Sequence, residues 1–306
     1  MNNLSEKEAS RMDRQIRLYS FEGQKSILNS HVLLIYVTGT NSEVAKNLAI
    51  GGLGKMTLID PFLTSEKSLC CNVLVTREHI GKNRAKASLG FLQEMNPNLE
   101  LDTADYYDLF NRENENENKS KNSQADFIKQ FDIVCICNPT INEVNHLTDL
   151  CHLHNKCLMV CGVSGENSFV FIDNCNDTEK TFQKVVNTPW SNLNIRRTNR
   201  LFFIIQLFYI SCKDRKNPES VQLEENDINQ IIDELSQSVQ LKKVPVEFSD
   251  LLDWQQNWKN ENSSTASIIG GIVSQEILNT ICQKRKPIEN FLFFDNFSGF
   301  ARIEKI

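Results

Sequence analysis

The 306-residue sequence lacks several features that would assign a function directly. Its ten cysteines include no C-x-x-C pair, which excludes a zinc ribbon and a thioredoxin-type motif. No apolar run reaches the roughly 18 residues that cross a bilayer, and the N-terminus has no apolar signal-peptide core. Basic residues number 33 against 39 acidic ones, so the net charge of −6 offers no basic field to nucleic acid or anionic lipid. We therefore expect a soluble, intracellular protein with reduced thiols.

What the sequence does contain is an alternation of apolar strands and helices. HVLLIYV at 31–37 is typical of a strand buried on both faces of a parallel sheet. A helix over 41–50, ended by two glycines, and the strand KMTLID at 55–60 complete a βαβ unit. Further strands are predicted at 99–107, 131–137, 156–165 and 168–173, and further helices at 83–95, 141–154 and 263–281. This pattern predicts an α/β protein with a doubly wound, mostly parallel, Rossmann-like sheet.

Composition suggests how the chain divides. Residues 1–173 together with 263–306 are predicted to form the sheet domain, because closing strands follow the last helix. Residues 174–262 carry helical patterns and polar connections, and are predicted to form a helical insert. The Asn-rich segment 111–124 cannot bury an apolar face, so we expect a disordered loop there.

The turn after the first strand is a candidate nucleotide site. Asp60 ends the second strand 21 residues after Gly39, a separation at which a carboxylate binds a ribose in dinucleotide-binding folds. However, the turn has one glycine where the fingerprint needs three, and Val37, Thr40 and Asn41 would crowd a phosphate. The residues alone favour a vestigial turn over a working site.

Other stretches resemble functional motifs but have unsuitable residues. GGLGKMT at 51–57 looks like a phosphate loop, yet Met56 stands where a Mg²⁺-binding hydroxyl belongs. CHLHNKCLMVC at 151–161 lacks the paired spacing of zinc ligands, so buried thiols are favoured. Cys212 is expected at the exposed end of an apolar helix rather than as a nucleophile. Arg11, Arg14 and Arg17 share one predicted helical face, which by itself indicates a solvated stripe.

Three segments resemble the ubiquitin-like-modifier activating enzymes, a family with the ThiF/MoeB adenylation fold. DRQIRLYSFEGQKSILNSHVLLI is similar to the family's D-R-Q-I/L-R-L-W/Y-G-x-x-x-Q segment before the first strand. IGKNRAKASLGFLQEMNPNLELD is similar to its V-G-K/R-x-K/R-A segment, and ASIIGGIVSQEILNTI followed by FLFFD resembles its closing helix and strand. The stretch 189–220 is most similar to the small, non-catalytic subunits of the family's SUMO-activating heterodimers.

The sequence departs from the family's active members at the nucleotide site. Their glycine-rich turn is TGTN here, Asn72 stands about where they have glutamine, and Arg84 replaces their phosphate-binding lysine. Asn-Pro-Thr at 138–140 replaces their magnesium-binding aspartate, and without that carboxylate a metal ion has no anchor. The resemblance therefore implies a degenerate site in which Gly39, Asp60, Asn72 and Arg84 are vestigial, with no cofactor or metal bound by this chain.

The resemblance also implies a partner. ATP and Mg²⁺ would be bound by a large subunit that carries the catalytic cysteine, and SUMO would be engaged through the heterodimer. Arg14 matches the arginine that reaches the partner's ATP in such pairs, with Arg17 in support, because a guanidinium suits phosphate oxygens. A nuclear or cytoplasmic location is implied as well.

Three alternatives stay open at this point. One is a self-sufficient, homodimeric sulfur-carrier-type adenylyltransferase, which would need a working site in this chain. The second is a non-enzymatic Rossmann-like binding module with no role in a partner's reaction. The third is a small subunit that serves another ubiquitin-like modifier.

Overall fold

The computed structural model describes residues 12–110, 117–175, 177–212, 224–236, 245–295 and 299–306, with the backbone alone at 117–122. Eight strands in these ranges form one sheet in the order β3-β2-β1-β4-β5-β6-β7-β8. The strands are β1 (His31–Ile35), β2 (Lys55–Ile59), β3 (Glu100–Ala104), β4 (Ile133–Cys137), β5 (Cys157–Ser164), β6 (Asn167–Asp173), β7 (Phe291–Asp295) and β8 (Phe300–Glu304).

The sheet has a parallel half and an antiparallel half. Strands β3, β2, β1, β4 and β5 run parallel, and their central members are continuous apolar runs, because both faces are covered by helices. From β5 onward each strand pairs antiparallel with the next. The β5–β6 turn is tight, and Gly165 has φ +59° there, a conformation that glycine adopts without strain. The predicted doubly wound, mostly parallel α/β fold is confirmed.

Helices cover both faces of the sheet. The described helices are α1 (Asp13–Asn29), α2 (Gly39–Ile50), α3 (Arg84–Met95), α4 (Tyr106–Phe110), α5 (Glu117–Lys129), α6 (Ile141–Leu153), α7 (Phe182–Val186), α8 (Arg200–Ser211), α9 (Glu225–Ser236), α10 (Phe248–Gln256) and α11 (Ser263–Cys282). Helices α1, α2, α3 and α11 contribute to the core on one face. Helices α5 to α10 contribute to the aromatic-rich core on the other. None of the described helices is long and apolar enough to cross a membrane.

The two parts of the predicted sheet domain meet directly. Helix α11 packs along α2, and Gly270 allows the close approach: a Cβ there would lie 2.5 Å from the Cβ of Glu43 and 2.9 Å from the Thr40 carbonyl oxygen. Strand β7 pairs with β6, so the C-terminal strands extend the same sheet. The segment 174–262 supplies α7 to α10, which form one layer against the sheet and share its core.

Two local expectations differ from the structure. Helix α5 begins at Glu117, so the described part of the expected 111–124 loop is helical; residues 111–116 lie outside the described residues. Cys212 is buried, with 2% of its surface exposed, rather than at an exposed helix end. The apolar helix α8 packs into the core, and Cys212, the capping residue that follows its last turn, is buried in the same core.

Candidate functional site

The carboxyl ends of β1, β2 and β4 open into a cleft of about 1390 Å³. Strand β1 lies between β2 and β4, so its carboxyl end is the point at which the chain connections change direction. Doubly wound sheets bind their ligands at this point. The turn after β1, the segment after β2, the β4–α6 turn and residues 259–261 line the cleft.

A carboxylate of the chain itself lies at the amino end of α2. The Thr40 amide donates to both oxygens of Glu261, at 3.3 Å and 3.2 Å. A Cβ on Gly39 would lie 2.6 Å from Glu261 Oε2, so this glycine makes room for the carboxylate. The amides and dipole of a helix N-terminus favour a negative group by about 0.3–1 kcal/mol. The position suited to a phosphate therefore already holds an anionic side chain.

Two thiols donate to the same carboxylate. The Sγ atom of Cys137 lies 3.7 Å from Glu261 Oε1, and that of Cys71 lies 3.8 Å from Oε2. Burial, reinforced by the charge of Glu261, raises the pKa of Cys71 to about 12 and that of Cys137 well above its ordinary value. Both side chains are protonated at neutral pH, so they act as hydrogen-bond donors and not as nucleophiles.

The expected ribose carboxylate, Asp60, is buried and bound by Arg84. The guanidinium donates from Nε to Oδ2 at 2.8 Å and from Nη2 to Oδ1 at 3.1 Å. The amides of Val37 and Phe62 donate to the same two oxygens at 2.8 Å and 2.9 Å. Asp60 and Arg84 were predicted to lie at one site but not to contact each other; in the structure they form a bidentate ion pair.

Two asparagines of the site that was expected to be degenerate hold the backbone. Asn72 donates to the Val37 carbonyl oxygen at 2.8 Å. Asn138, in the left-handed region with φ 52°, donates to the Val163 carbonyl oxygen at 2.7 Å and accepts from the Val163 amide at 2.9 Å. The side chain of Asn138 thereby joins the end of β4 to β5. Its amide is engaged on the backbone in the place where the active members have a metal-binding carboxylate.

Aromatic and acidic side chains also line the cleft. The hydroxyls of Tyr36 and Tyr106 both donate to Glu143 Oε1, while Glu143 Oε2 accepts from the Thr140 amide and hydroxyl. Burial, followed by the charge of Glu143, raises the pKa of both tyrosines. The ring of Phe62 stacks on Tyr36 with centroids 5.9 Å apart, and the Arg84 guanidinium lies 5.4 Å from the Phe62 centroid.

These contacts do not suit the magnesium–nucleotide complex that the resemblance implies for active members. The helix N-terminus faces Glu261, a group of the same sign as a phosphate. The carboxylate of Asp60 already accepts four hydrogen bonds. The residue in the metal-binding place is an amide. Each of the three positions is filled by an internal contact of this chain.

The predicted trans-acting arginines lie away from this cleft. Arg14 and Arg17 are exposed on α1, and neither lines the cleft. Arg17 is paired with Asp13 at 2.8 Å, whereas Arg14 has no ion-pair partner within the described ranges. Arg11 lies outside the described residues. Helix α1 contacts α11, and Gln15 donates to the Ile50 carbonyl oxygen at the end of α2.

One group of potential metal ligands occurs among the described residues, outside the cleft. His152, Asp173 and Cys175 place their ligand atoms within 4.8 Å of one another. His152 Nε2 lies 3.0 Å from Asp173 Oδ2, and the Cys175 thiol donates to the Lys156 carbonyl oxygen at 2.9 Å. These contacts give all three side chains a structural role. Sequence analysis had considered His152 only with the cysteines of 151–161.

Four cleft residues were not predicted from the sequence: Glu261, Glu143, Tyr36 and Tyr106. Glu261 precedes α11 with no local motif, and it is 221 positions from Thr40. A weak signal existed for Glu143, because Thr140 and Glu143 have the spacing of a capping box. That pattern predicts a helix start, but it does not predict two tyrosine partners.

The fold and the cleft define an α/β protein of the ThiF/MoeB adenylation type. The ThiF family model matches residues 12–305, so the chain belongs to the ThiF family. The predicted family relationship is confirmed.

Curated relatives match nearly the whole chain. SUMO-activating enzyme subunit 1 of Dictyostelium discoideum is 26% identical, over 99% of this chain and 94% of the relative. The protein of the same name from Xenopus tropicalis is 27% identical over 97% and 95%, and that from Homo sapiens is 26% identical over 98% and 96%. The homology supports a place for this chain in ubiquitin-like-modifier activation.

Two solved structures share the fold at low sequence identity. PaaA superposes with a TM-score of 0.66 at 18% identity, covering 100% of this chain and 85% of PaaA. E. coli MccB, solved with MccA-N7isoAsn, superposes with a TM-score of 0.62 at 14% identity, covering 99% of this chain and 72% of MccB. At these identities the likeness concerns the fold alone.

Proposed function

We propose that this chain is the non-catalytic subunit of a heterodimeric SUMO-activating enzyme. With a large catalytic-cysteine partner, it would support ATP-dependent adenylation of the SUMO C-terminus and thioester formation on the partner. The chain would be inactive alone, and ATP and Mg²⁺ would be bound by the partner. The name shared by the curated relatives supports the modifier and the subunit class.

The observation that carries this proposal is the internal occupation of the cleft. Glu261 lies at the amino end of α2, Arg84 binds Asp60, and Asn138 binds β5. A self-sufficient adenylyltransferase needs these three positions free for phosphate, ribose and metal. Their engagement favours a subunit whose reaction takes place in another chain.

Arg14 is the residue proposed to act on the partner's ATP. It is exposed on the first turn of α1, away from its own cleft, as a trans-acting group must be. Arg17 is partly neutralised by Asp13, so its contribution should be smaller. Exposed apolar side chains on the same helical layer offer a surface for a partner: Leu18, Phe21, Ile50 and Ile268. Such faces are typical of permanent subunit interfaces.

The test is ATP–pyrophosphate exchange with SUMO, measured for the chain alone, the partner alone and the pair. We expect activity in the pair only. Arg14→Ala in the pair should lower the exchange rate about 10²-fold, as removal of one transition-state donor does, and Arg17→Ala should lower it less. Lys25→Ala, in the segment of α1 that follows the kink at Ser20, is the control and should leave the rate unchanged.

Three outcomes would contradict the proposal. Exchange by the isolated chain would make it a homodimeric adenylyltransferase. An unchanged rate with Arg14→Ala would favour a binding module without a role in the reaction. Exchange in the pair with a different modifier, but not with SUMO, would reassign the substrate. A nuclear or cytoplasmic location is part of the proposal, and fluorescence imaging of the tagged chain would test it.

A further inference from the structure

We propose that Glu261 is a specificity-determining residue: its carboxylate takes the place of a phosphate at the amino end of α2 and thereby excludes phosphate-bearing ligands from the cleft. This inference deepens the proposed function, since it rests on the part that leaves this chain without a nucleotide. It assigns the exclusion to one side chain, in addition to the missing glycines and the missing metal ligand.

The Glu261 carboxylate accepts from the donors that a phosphate would need. Both oxygens accept from the Thr40 amide, at 3.3 Å and 3.2 Å, and each also accepts from a thiol, one from Cys137 and the other from Cys71. A phosphate at the same helix end would use the same donors. It could not share them with Glu261, because two like charges at hydrogen-bond range cost several kcal/mol.

Backbone contacts on both sides hold Glu261 in place. Glu261 pairs with Gly165 of the β5–β6 turn in an isolated bridge, and the Gly165 amide donates to the Asn260 carbonyl oxygen at 2.8 Å. On the other side, the Asn262 side chain caps α11 by accepting from the Thr265 amide at 2.7 Å. With the backbone fixed on both sides, the carboxylate can leave the helix end only by rotation of its side chain, which breaks its contacts with the Thr40 amide and the two thiols.

The Glu261 carboxylate also fills the space beside Gly39. Gly39 lies so close to the carboxylate that a Cβ added to it would be 2.6 Å from Glu261 Oε2 and 2.7 Å from Cys71 Sγ. Removal of the Glu261 side chain beyond Cβ would open this part of the 1390 Å³ cleft and expose the Thr40 amide. The amino end of α2 would then offer an uncompensated positive dipole end to an anion.

The test measures ligand binding to the full-length chain alone by isothermal titration calorimetry, with ATP and with inorganic triphosphate as probes. Glu261→Ala removes the carboxylate, and Glu261→Gln keeps its shape without its charge. Glu166→Ala is the matched control, because Glu166 is an exposed acid on the neighbouring β5–β6 turn. Circular dichroism of each variant reports whether the fold is retained.

We expect Glu261→Ala to bind inorganic triphosphate at least about tenfold more tightly than the unmodified chain, with a smaller gain for Glu261→Gln and none for Glu166→Ala. A similar gain for ATP and triphosphate would show that the phosphates alone are recognised. A larger gain for ATP would show that the cleft also accepts the nucleoside.

Two results would overturn the inference. One is that Glu261→Gln and Glu261→Ala both fold but bind neither ATP nor triphosphate better than the unmodified chain does. The other is tight binding of ATP by the unmodified chain, with Glu261 in place. The first result leaves the proposed function intact, because exchange activity in the pair does not depend on it. The second result also contradicts the placement of ATP in the partner, and exchange measured for the chain alone and for the pair tells the two failures apart.

Discussion

Replacement of Arg84 by methionine should destabilise the protein strongly although no catalytic group is touched. Arg84 forms two hydrogen bonds with Asp60, and the Asp60 side chain is fully buried while that of Arg84 is 16% exposed. Methionine retains the aliphatic stem but leaves the carboxylate without its cation. Removal of one partner of a buried pair costs about 3–5 kcal/mol.

The lower end of that range applies to Arg84→Met. Asp60 keeps the amide donors of Val37 and Phe62, and the partial exposure of Arg84 lets water approach. We therefore expect a loss of about 3 kcal/mol. At about 2 °C per kcal/mol for a chain of this size, the melting temperature should fall by about 6 °C. Differential scanning calorimetry on the isolated chain measures this shift.

Two comparisons make the assignment specific. Arg17→Met removes an exposed pair, with side-chain exposures of 78% for Arg17 and 54% for Asp13, and should shift the melting temperature by less than about 1 °C. The double variant Asp60→Asn with Arg84→Met should recover part of the loss, because no unpaired charge is left buried. A shift below 1 °C for Arg84→Met would refute the buried-pair reasoning.

Two further predictions concern stability. Burial, assisted by the Lys55 ammonium, lowers the pKa of His31 to about 4, so the unfolded chain binds more protons than the folded chain between pH 6.5 and 4. The free energy of unfolding should therefore fall by about 1–2 kcal/mol as the pH is lowered through this window, after allowance for partial exposure. Urea titrations should show a flatter pH profile for His31→Gln. Gly270→Ala should destabilise the protein by about 1–3 kcal/mol, because the added Cβ meets Glu43. A Cβ at Gly271 would have nothing within 4 Å, so Gly271→Ala should be neutral or stabilise the protein by about 0.4–1 kcal/mol. Equal melting temperatures for the two variants would contradict this packing.

Much of the fold could be predicted from local sequence pattern. The strand runs at 31–37 and 131–137 contain β1 and β4, because a buried parallel strand is a continuous apolar run that no surface element imitates. The exit of β1 was less well predicted, since Tyr36 adopts a positive φ and the strand ends at Ile35, whereas β4 ends at Cys137 as predicted. The segment 111–124 was expected to be a loop because its asparagine-rich composition offers no apolar face to bury, yet α5 begins within it at Glu117.

The candidate site was predicted in its positions but not in its contacts. Asp60, Asn72 and Arg84 do lie around the end of β1: Asp60 and Asn72 both bind the Val37 backbone, and Arg84 binds Asp60. The hydrogen-bond partners of these side chains were not predictable. A departure from a family motif indicates that the family's role is lost, but it does not indicate which group the new side chain binds. Arg84 was interpreted as a lost phosphate ligand, yet in the structure it binds Asp60.

The sequence by itself determined the class of this protein, through the βαβ order, the ThiF-type segments at both ends of the chain and the single-glycine turn after β1. Only the tertiary structure decided what fills that turn. Glu261 reaches Thr40 across 221 positions because the segment before α11 docks on the β5–β6 turn. A contact of this kind has no local pattern, since it depends on how two distant segments pack and not on the residues beside either of them.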